Sequence, residues 1–323
     1  MTNRIKKVAV LTSGGDAPGM NAAIRAVVRK GIYHGLEVLG VKKGYEGLIH
    51  GEFIHMNLGA VADIIHRGGT MLMTARSSEM MTPEGQKNAA EQLRYRDIDA
   101  LIIIGGDGSF RGAQTLSAQG IPIVGIPGTI DNDIAGTDLT IGFDTAVNNV
   151  VQAVSKIRDT ATSHDRTFLV EVMGRDCGNI ALQSGVACGA ETIIVPEIKP
   201  DMDDIMAKLA RGHQRGKNHS IIIVAEGAAS ALHLGEELRQ RTGFETRVTI
   251  LGHIQRGGSP SAMDIVLASQ MGGKAVEILC AGETDRMTAY VNQEIVSLPL
   301  EVAYGERRPL NKALYDLANQ LAI

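Results

Sequence analysis

The sequence predicts an α/β fold of doubly wound, mostly parallel sheets. Three observations carry this. Short aliphatic runs, such as VAVL at 8–11 and ALIII at 100–104, alternate with helix-length segments along the whole chain. The 323 residues include 38 Gly but only 3% aromatics and no Trp, so the 44% hydrophobic content is mainly aliphatic and punctuated by tight turns. Finally, polar or glycine-rich turns follow the strand candidates, where doubly wound sheets bind their ligands.

Taken in order, VAVL leads into PGMNAAIRAVVRKGIYHG, in which Pro18 opens a helix and Gly35 closes it. EVLGV is the next strand, followed by a helical stretch to His66. The helical segment PEGQKNAAEQLRYRD runs into ALIII and GGDGS, and IPIVGIPGT into the long amphipathic segment TAVNNVVQAVSKIRDTA. TFLVEVMG, TIIVPE, SIIIVAEG and TRVTILGH are further strands separated by helices. Right-handed crossovers are the default for such a β-α rhythm. The length suggests about two domains. There is no Gly/Ser linker, low-complexity tract or charge block, so the domains are expected to be tied by more than one crossing.

A net charge of −4 argues against broad electrostatic binding to nucleic acid or anionic membranes. Anionic ligands must then be held by local Arg clusters. Cys177, Cys188 and Cys280 show no C-x-x-C spacing and read as reduced, intracellular thiols outside any zinc site. The amino-terminal apolar run stops after four residues and reads as a strand, not a signal peptide. No run approaches the roughly 18 apolar residues of a membrane span. The expectation is a soluble cytoplasmic protein.

Six turns at six predicted strand ends point to a built site: Gly14-Gly15-Asp16, Gly105 to Ser109, Pro127 to Asp133, Met173-Gly174-Arg175, Glu226-Gly227 and Gly252 to Gly258. Glycine turns at helix N-termini present backbone N–H groups and a positive dipole end to phosphate. GGDAPGMN has the glycine spacing of a Walker loop, but Met20 stands in place of its Lys; neither it nor GGDGSFRG fits G-x-G-x-x-G. Alone, each reads equally well as a tight turn. Asp107, Asp131 and Asp133 offer hard oxygens for Mg²⁺ bridging phosphates, or a base for an attacking hydroxyl. A single Asp in a turn is more often a helix cap or Asx turn, but two acidic turns on neighbouring strand ends concentrate charge that needs a cation. Arg76, Arg166, Arg175, Arg247 and Arg256 flank turns or strand ends and suit phosphate. His253 lies among glycines that let a ligand approach, and core packing is the simpler reading of Met173. Ser/His/Asp order, H-E-x-x-H and His/Cys clusters are missing from the sequence. The residues therefore point to Mg²⁺-dependent phosphoryl transfer to a hydroxyl with an aspartate as base, without naming the acceptor.

LTSGGDAPGMNAAIR, GYEGL, RGGT, IGGDGS, PGTIDNDI, GTDLTIGFDTA, VEVMGR, ETRVTILGHIQRGGSP and LASQMG, running from residue 8 to about 272, together resemble the bacterial ATP-dependent 6-phosphofructokinase family, type A. The resemblance implies transfer of the γ-phosphate of Mg-ATP to the 1-hydroxyl of fructose 6-phosphate. It implies two doubly wound domains with the active site between them: 1–140 plus 254–305 for ATP, and 141–253 plus 306–323 for the sugar phosphate. Asp131 matches the base, Asp107 the Mg²⁺ position and Asp133 the second carboxylate. Thr129, Arg175 and Gly14 match groups around the transferring phosphoryl. Gly14, Arg76, Ser77, Gly106, Asp107, Gly108 and Ser109 match the ATP side. Thr129, Asp131, Met173, Gly174, Arg175, Glu226, His253 and Arg256 match the sugar-phosphate side, with Arg166 and Arg247 reaching in from a neighbouring subunit of a homotetramer. ADP and phosphoenolpyruvate are the family's effectors, at positions matching Arg25, Arg29, Arg158, Gly189, Glu191, Arg215 and Lys217. Leu58 departs, standing where an Arg is expected.

Pyrophosphate-using relatives tend to carry Asp where this chain has Gly108 and Lys where it has Gly128, so the two glycines favour ATP. Kinases acting on NAD or lipids share only the GGDGS turn. A non-catalytic sugar-phosphate sensor has no use for Asp131 as a base, and a nicotinamide dehydrogenase lacks its dinucleotide fingerprint. The tail after about residue 285 matches no motif.

Overall fold

The structure, a computed structural model, describes residues 5–161, 166–216 and 219–322. The backbone divides into two compact units, Met1–Asp144 with Arg256–Arg308, and Thr145–Gln255 with Pro309–Ile323.

In the first unit β1 (Lys7–Thr12), β2 (Glu37–Val41), β3 (Phe53–His55), β4 (Ala100–Gly105), β5 (Ile123–Pro127), β10 (Arg286–Val291) and β11 (Glu294–Pro299) form one sheet in the order β11-β10-β5-β4-β1-β2-β3. The five inner strands run parallel, and the two edge strands β3 and β11 run antiparallel to their neighbours. Val8 to Leu11 and every residue of β4 and β5 are buried. Strands covered on both faces have no polar side to show, which is why VAVL and ALIII read as continuous apolar runs. From β1 the chain winds to β2 on one side and reaches β4 on the other. The switch point therefore lies between β1 and β4, where the crevice of a doubly wound sheet opens.

Helix α1 (Met20–Tyr33) begins after Gly19, whose φ of 104° turns the chain. Pro18 therefore lies ahead of the helix rather than opening it. Gly35 at φ 78° ends the segment as expected. The helical stretch expected to run to His66 is only α2 (Gly44–His50). Gly51 caps it in the left-handed region, and Phe53–His55 then pairs antiparallel with β2. A half-buried three-residue edge strand carries too little pattern to compete with a helical reading. Helices α3 (Pro83–Tyr95) and α4 (Asp107–Ser117) pack with α2 into a core of Leu11, Leu48, Leu93, Ile103 and Phe110. Helices α1 and α9 (Ala262–Cys280) pack against each other, and Gly272 lies so close to the α1 backbone that a Cβ there would sit 2.7 Å from Ala23 O.

The second unit is a parallel sheet, β7 (Thr192–Ile194), β8 (His219–Ala225), β6 (Arg166–Val172) and β9 (Thr246–Ile250), in the order β7-β8-β6-β9. Its helices are α5 (Phe143–Ala161), α6 (Asn179–Cys188), α7 (Met202–Gln214), α8 (Ala231–Thr242) and α10 (Lys312–Leu321). Leu169, Ile205, Leu209, Ile222, Val224 and Leu238 form its core. Cys177 is buried, Cys188 half-buried and Cys280 exposed, and no disulfide joins them among the described residues. Among the described residues, no helix is long and apolar enough to cross a membrane.

Candidate active site

In the first unit, parallel pairing puts three turns side by side. Thr12 lies opposite Ile104, and Gly105 opposite Pro127, so the turns after β1, β4 and β5 share the carboxyl edge of the sheet. After β1, Ser13 N donates to Ile104 O (2.9 Å), tying this turn to β4. Gly14 adopts φ 86° and its carbonyl accepts from Thr74 Oγ1 (2.8 Å). Arg256 Nη1 donates to Asp16 O (2.9 Å), so its guanidinium lies against Gly15.

After β4, Gly105 admits no side chain: a Cβ there would sit 2.5 Å from Ser109 Oγ and 2.6 Å from Ser13 O. Asp107 is the first residue of α4, and its Oδ1 accepts from Gly108 N (2.7 Å). The helix therefore presents its N-terminus, with a carboxylate on its first turn, to the crevice. Tyr45, from α2, holds this turn from behind by donating its hydroxyl to Ser109 O (2.5 Å), with its ring against Gly112. Burial pushes the Tyr45 phenol above its ordinary range. The motif GYEGL contained Tyr45, but nothing in the sequence alone announced this bond.

After β5, Thr129, Asp131 and Asp133 are 8%, 1% and 7% exposed. Thr129 Oγ1 accepts from Asp131 N (3.2 Å), and Arg307 Nη2 approaches Asp133 Oδ2 at 3.9 Å. Asn132, between the two aspartates, takes a left-handed conformation, φ 52°. Gly108 has open space around its missing Cβ, whereas a Cβ on Gly128 would meet Ile104 Cγ2 at 3.1 Å and Met20 Cε at 3.2 Å. Gly128 is thus crowded by core side chains, while Gly108 is a simple opening. Arg76 is exposed, and Ser77 Oγ accepts from Met80 N (3.3 Å) at the start of a short 3-10 turn. Among the described residues no group of three or more His, Cys, Asp or Glu could hold a metal alone.

In the second unit, the turns after β6, β8 and β9 also share a carboxyl edge. Gly174 and Arg175 adopt φ 140° and 51°, and both their N–H groups donate to Glu226 Oε1 (3.2 and 3.0 Å). Gly227 packs flush against this turn, since a Cβ there would lie 1.9 Å from Arg175 O. Met173 is half-buried and its N–H donates to Gln255 Oε1 (3.2 Å). Gln255 is fully buried and was passed over in the motif GHIQRGG, where His253 is exposed.

Arg166 and Arg247 lie elsewhere. Arg166 is the first residue of β6 and Arg247 the second of β9, at the amino-terminal edge of this sheet, some 20 Å along the strands from Met173. Both pair with Glu245: Arg166 Nε at 3.1 Å from Oε2, and Arg247 through Nη2 to Oε1. Arg166 lines a cavity of about 210 Å³ with His213, His219, Phe244 and Glu245. Within one chain the structure does not bring these two arginines to the Gly174 turn.

Of the expected effector residues, Arg25 and Arg29 lie one turn apart on α1 in the first unit. In the second, Arg158 Nη2 donates to Cys188 O, next to Gly189 (φ 61°). Buried Glu191 accepts Ile221 N on Oε2 (2.5 Å), so its carboxylate also serves the sheet. Arg215 caps α7 and is exposed, Leu58 is half-exposed, and Lys217 falls outside the described residues.

A family model described as "Phosphofructokinase" matches residues 7–279. An ATP-dependent 6-phosphofructokinase of Brevibacillus brevis is 57% identical over 319 residues, 99% of this chain and 100% of its own length. One from Halothermothrix orenii is 55% identical over 332 residues, with the same coverage. Among solved structures, phosphofructokinase of Pichia pastoris in its T-state superimposes with a TM-score of 0.89 at 35% identity, over 99% of this chain and 39% of the yeast chain. A pyrophosphate-dependent phosphofructokinase of Marinobacter aquaeolei shares the fold, with a TM-score of 0.85 over 96% of this chain and 86% of its own at 24% identity. Matched by the family model from β1 to the last turn of α9, and by relatives across nearly its whole length, this chain belongs to the phosphofructokinase family.

Proposed function

We propose that the chain is an ATP-dependent 6-phosphofructokinase, transferring the γ-phosphoryl group of Mg-ATP to the 1-hydroxyl of fructose 6-phosphate to give fructose 1,6-bisphosphate and ADP. The observation that carries this is the buried Asp131 carboxylate on the turn beside the N-terminus of α4, on adjacent strands of one sheet edge. Phosphoryl transfer asks a protein mainly for positioning and charge neutralisation, and such an edge supplies both.

Asp131 takes the proton of the 1-hydroxyl as the new O–P bond forms and the bond to ADP breaks. Thr129, Arg175 and the Gly14 N–H hold the transferring group. Gly14, Arg76, Ser77 and Gly106 to Ser109 hold the nucleotide on the first unit. Asp107 would contact the Mg²⁺ carried with ATP, and that ion would supply neutralisation of phosphate charge. Asp133 adds a second carboxylate near that charge. Met173, Gly174, Glu226, His253 and Arg256 hold the sugar phosphate. Arg166 and Arg247 serve the site of a neighbouring copy in a homotetramer; their position at the far edge of β6 and β9 supports that reading. ADP and phosphoenolpyruvate act through Arg25, Arg29, Arg158, Gly189, Glu191, Arg215 and Lys217, and Leu58 weakens the phosphate contact there. The enzyme works in the cytoplasm, where its glycolytic substrates are.

The test is ADP release from Mg-ATP with fructose 6-phosphate present and then withheld. Sugar-dependent release is expected. Release that needs pyrophosphate in place of ATP would overturn the donor, and no turnover with either would favour a sugar-phosphate sensor.

A further inference from the structure

The turn after β5 is held by a second segment, residues 137–142. Thr140 is 1% exposed. Its Oγ1 lies 2.6 Å from Thr129 O and 3.2 Å from Asn132 Oδ1. A hydroxyl has one proton, and the shorter contact takes it, so Thr140 donates to Thr129 O. Asn132 Oδ1 is served separately by Thr140 N (2.8 Å), and Asn132 Nδ2 donates to Asp138 O (3.1 Å). Thr140 thus grips the turn on both sides of Asp131. Asn132 needs such a grip, because its left-handed conformation is unfavourable for a residue with a Cβ. Ile141 N donates to Pro127 O (3.1 Å), and Gly142 N to Asp264 Oδ1 (2.8 Å), which closes the segment at its far end.

The same segment is fastened to the β10–β11 hairpin, the region whose sequence matched no motif. Asp138 N donates to Tyr290 O (2.7 Å) and Tyr290 N to Thr137 Oγ1 (2.9 Å). Asp138 Oδ2 accepts Asn292 N (3.0 Å) and Oδ1 accepts Arg308 Nη1 (2.5 Å). Asn292 and Gln293 form the hairpin turn with φ 50° and 69°, both positive as a type I′ turn requires. Gly136 lies against the chain just after the hairpin, where a Cβ would sit 2.5 Å from Val302 Cγ1.

We propose that Thr140 is a positioning residue for Asp131, and that the β10–β11 hairpin, acting through Asp138, sets where Thr140 stands. This rests on Asp131 being the base. Thr140 touches no reacting atom in this scheme. It fixes the distance between the carboxylate and the hydroxyl it deprotonates, and displacements of about 1 Å at that distance cost about 10²-fold in rate.

Thr140→Val keeps the shape and removes the hydroxyl, while Thr140→Ser keeps the hydroxyl. Thr140→Val is expected to lower kcat about 10- to 100-fold with KM for both substrates nearly unchanged, and Thr140→Ser to restore most of it. Asp138→Ala, which removes the carboxylate's bonds to Asn292 and Arg308 and leaves the backbone bond to Tyr290, is expected to lower kcat several-fold. Hydrogen exchange in the ligand-free protein, read on peptides covering 128–133, should accelerate in Thr140→Val and Asp138→Ala and stay near wild type in Thr140→Ser. An unchanged kcat in Thr140→Val, or a loss that Ser does not rescue, overturns the proposal. If Thr140→Val fails to fold, unchanged exchange at 128–133 in Asp138→Ala overturns it instead. A wild-type protein without phosphofructokinase turnover, whose turn still loosens in these variants, overturns the activity reading and leaves the clamp standing.

Discussion

The turn after β5 and the turn after β6 are built for opposite demands. In the first, Asp131 is 1% exposed, and its neighbours are tied to Thr140 and Asp138. In the second, the backbone is fixed by Glu226 and Gly227, yet the charged groups Arg175 and Glu226 stand exposed. A group that takes a proton at a set moment must be in place before the substrate arrives. Groups that recognise an anion can stay hydrated and close on it, because charge–phosphate attraction tolerates a looser start. On the proposed reading, the base is held in place beforehand and the groups that recognise an anion stay hydrated.

The sharpest way to break this contrast is Asp131→Ser. It should cut kcat by at least about 10²-fold while KM for ATP and fructose 6-phosphate changes little, as steady-state kinetics would reveal. A turnover within a few-fold of wild type would remove Asp131 as the base. On the recognition side the split should invert. Arg247→Ala should raise KM for fructose 6-phosphate about tenfold or more and leave kcat and melting temperature close to wild type. The melting result follows because its pairing with Glu245 is an exposed one, with the Arg247 side chain 54% accessible, and such pairs add little stability. An unchanged KM would take Arg247 out of the sugar site.

A smaller effect concerns regulation. With Leu58 in place, phosphoenolpyruvate inhibition should be weak, and Leu58→Arg should strengthen it by up to about tenfold if a phosphate contact is restored. Strong inhibition of the wild type in an effector titration would dismiss Leu58 as a weak point. The smallest effect lies at Tyr45→Phe, which loses the bond to Ser109 O and about 1–2 kcal/mol of stability at neutral pH. The wild-type phenol stays protonated in the fold, while the unfolded chain releases that proton near its ordinary pKa of 10.0. Stability from this group is therefore complete below that pH and lost above it. Denaturant melts across pH 8 to 11 should fall more steeply for wild type than for Tyr45→Phe.

What could be read from the sequence follows burial. β1, β4 and β5 were legible because both faces are covered, which leaves aliphatic runs ending in glycine turns. Their turns were legible because phosphate chemistry needs Gly and Asp there. Edge elements were not. FIH at 53–55 has a half-buried pattern and followed a real helix, so the helix was extended through it to His66. β10 and β11 mix charged and apolar residues, and their turn is Asn-Gln rather than the more telling Asn-Gly. Thr140 sits inside the quoted motif GTDLTIGFDTA, but a buried threonine carries no chemical signature until its partners are known. Arg166 and Arg247 were seen as flanking strand ends; that the ends are the amino-terminal ones is a matter of strand direction, which side-chain types do not encode.

The sheet order has a consequence for how the protein is made. β10 lies between β5 and β11, yet about 160 residues separate β5 from β10 along the chain, including the whole second sheet. At about 5–20 residues per second a ribosome needs roughly 10–30 s to cover that stretch. During that interval the nascent chain holds β5 with one edge unpaired and apolar on both faces, which is the kind of edge that recruits foreign strands. The second sheet can form in the meantime, since all its strands emerge before β10. The turn that directly follows β5, which carries Asp131, is therefore among the last parts of the molecule to acquire its final support.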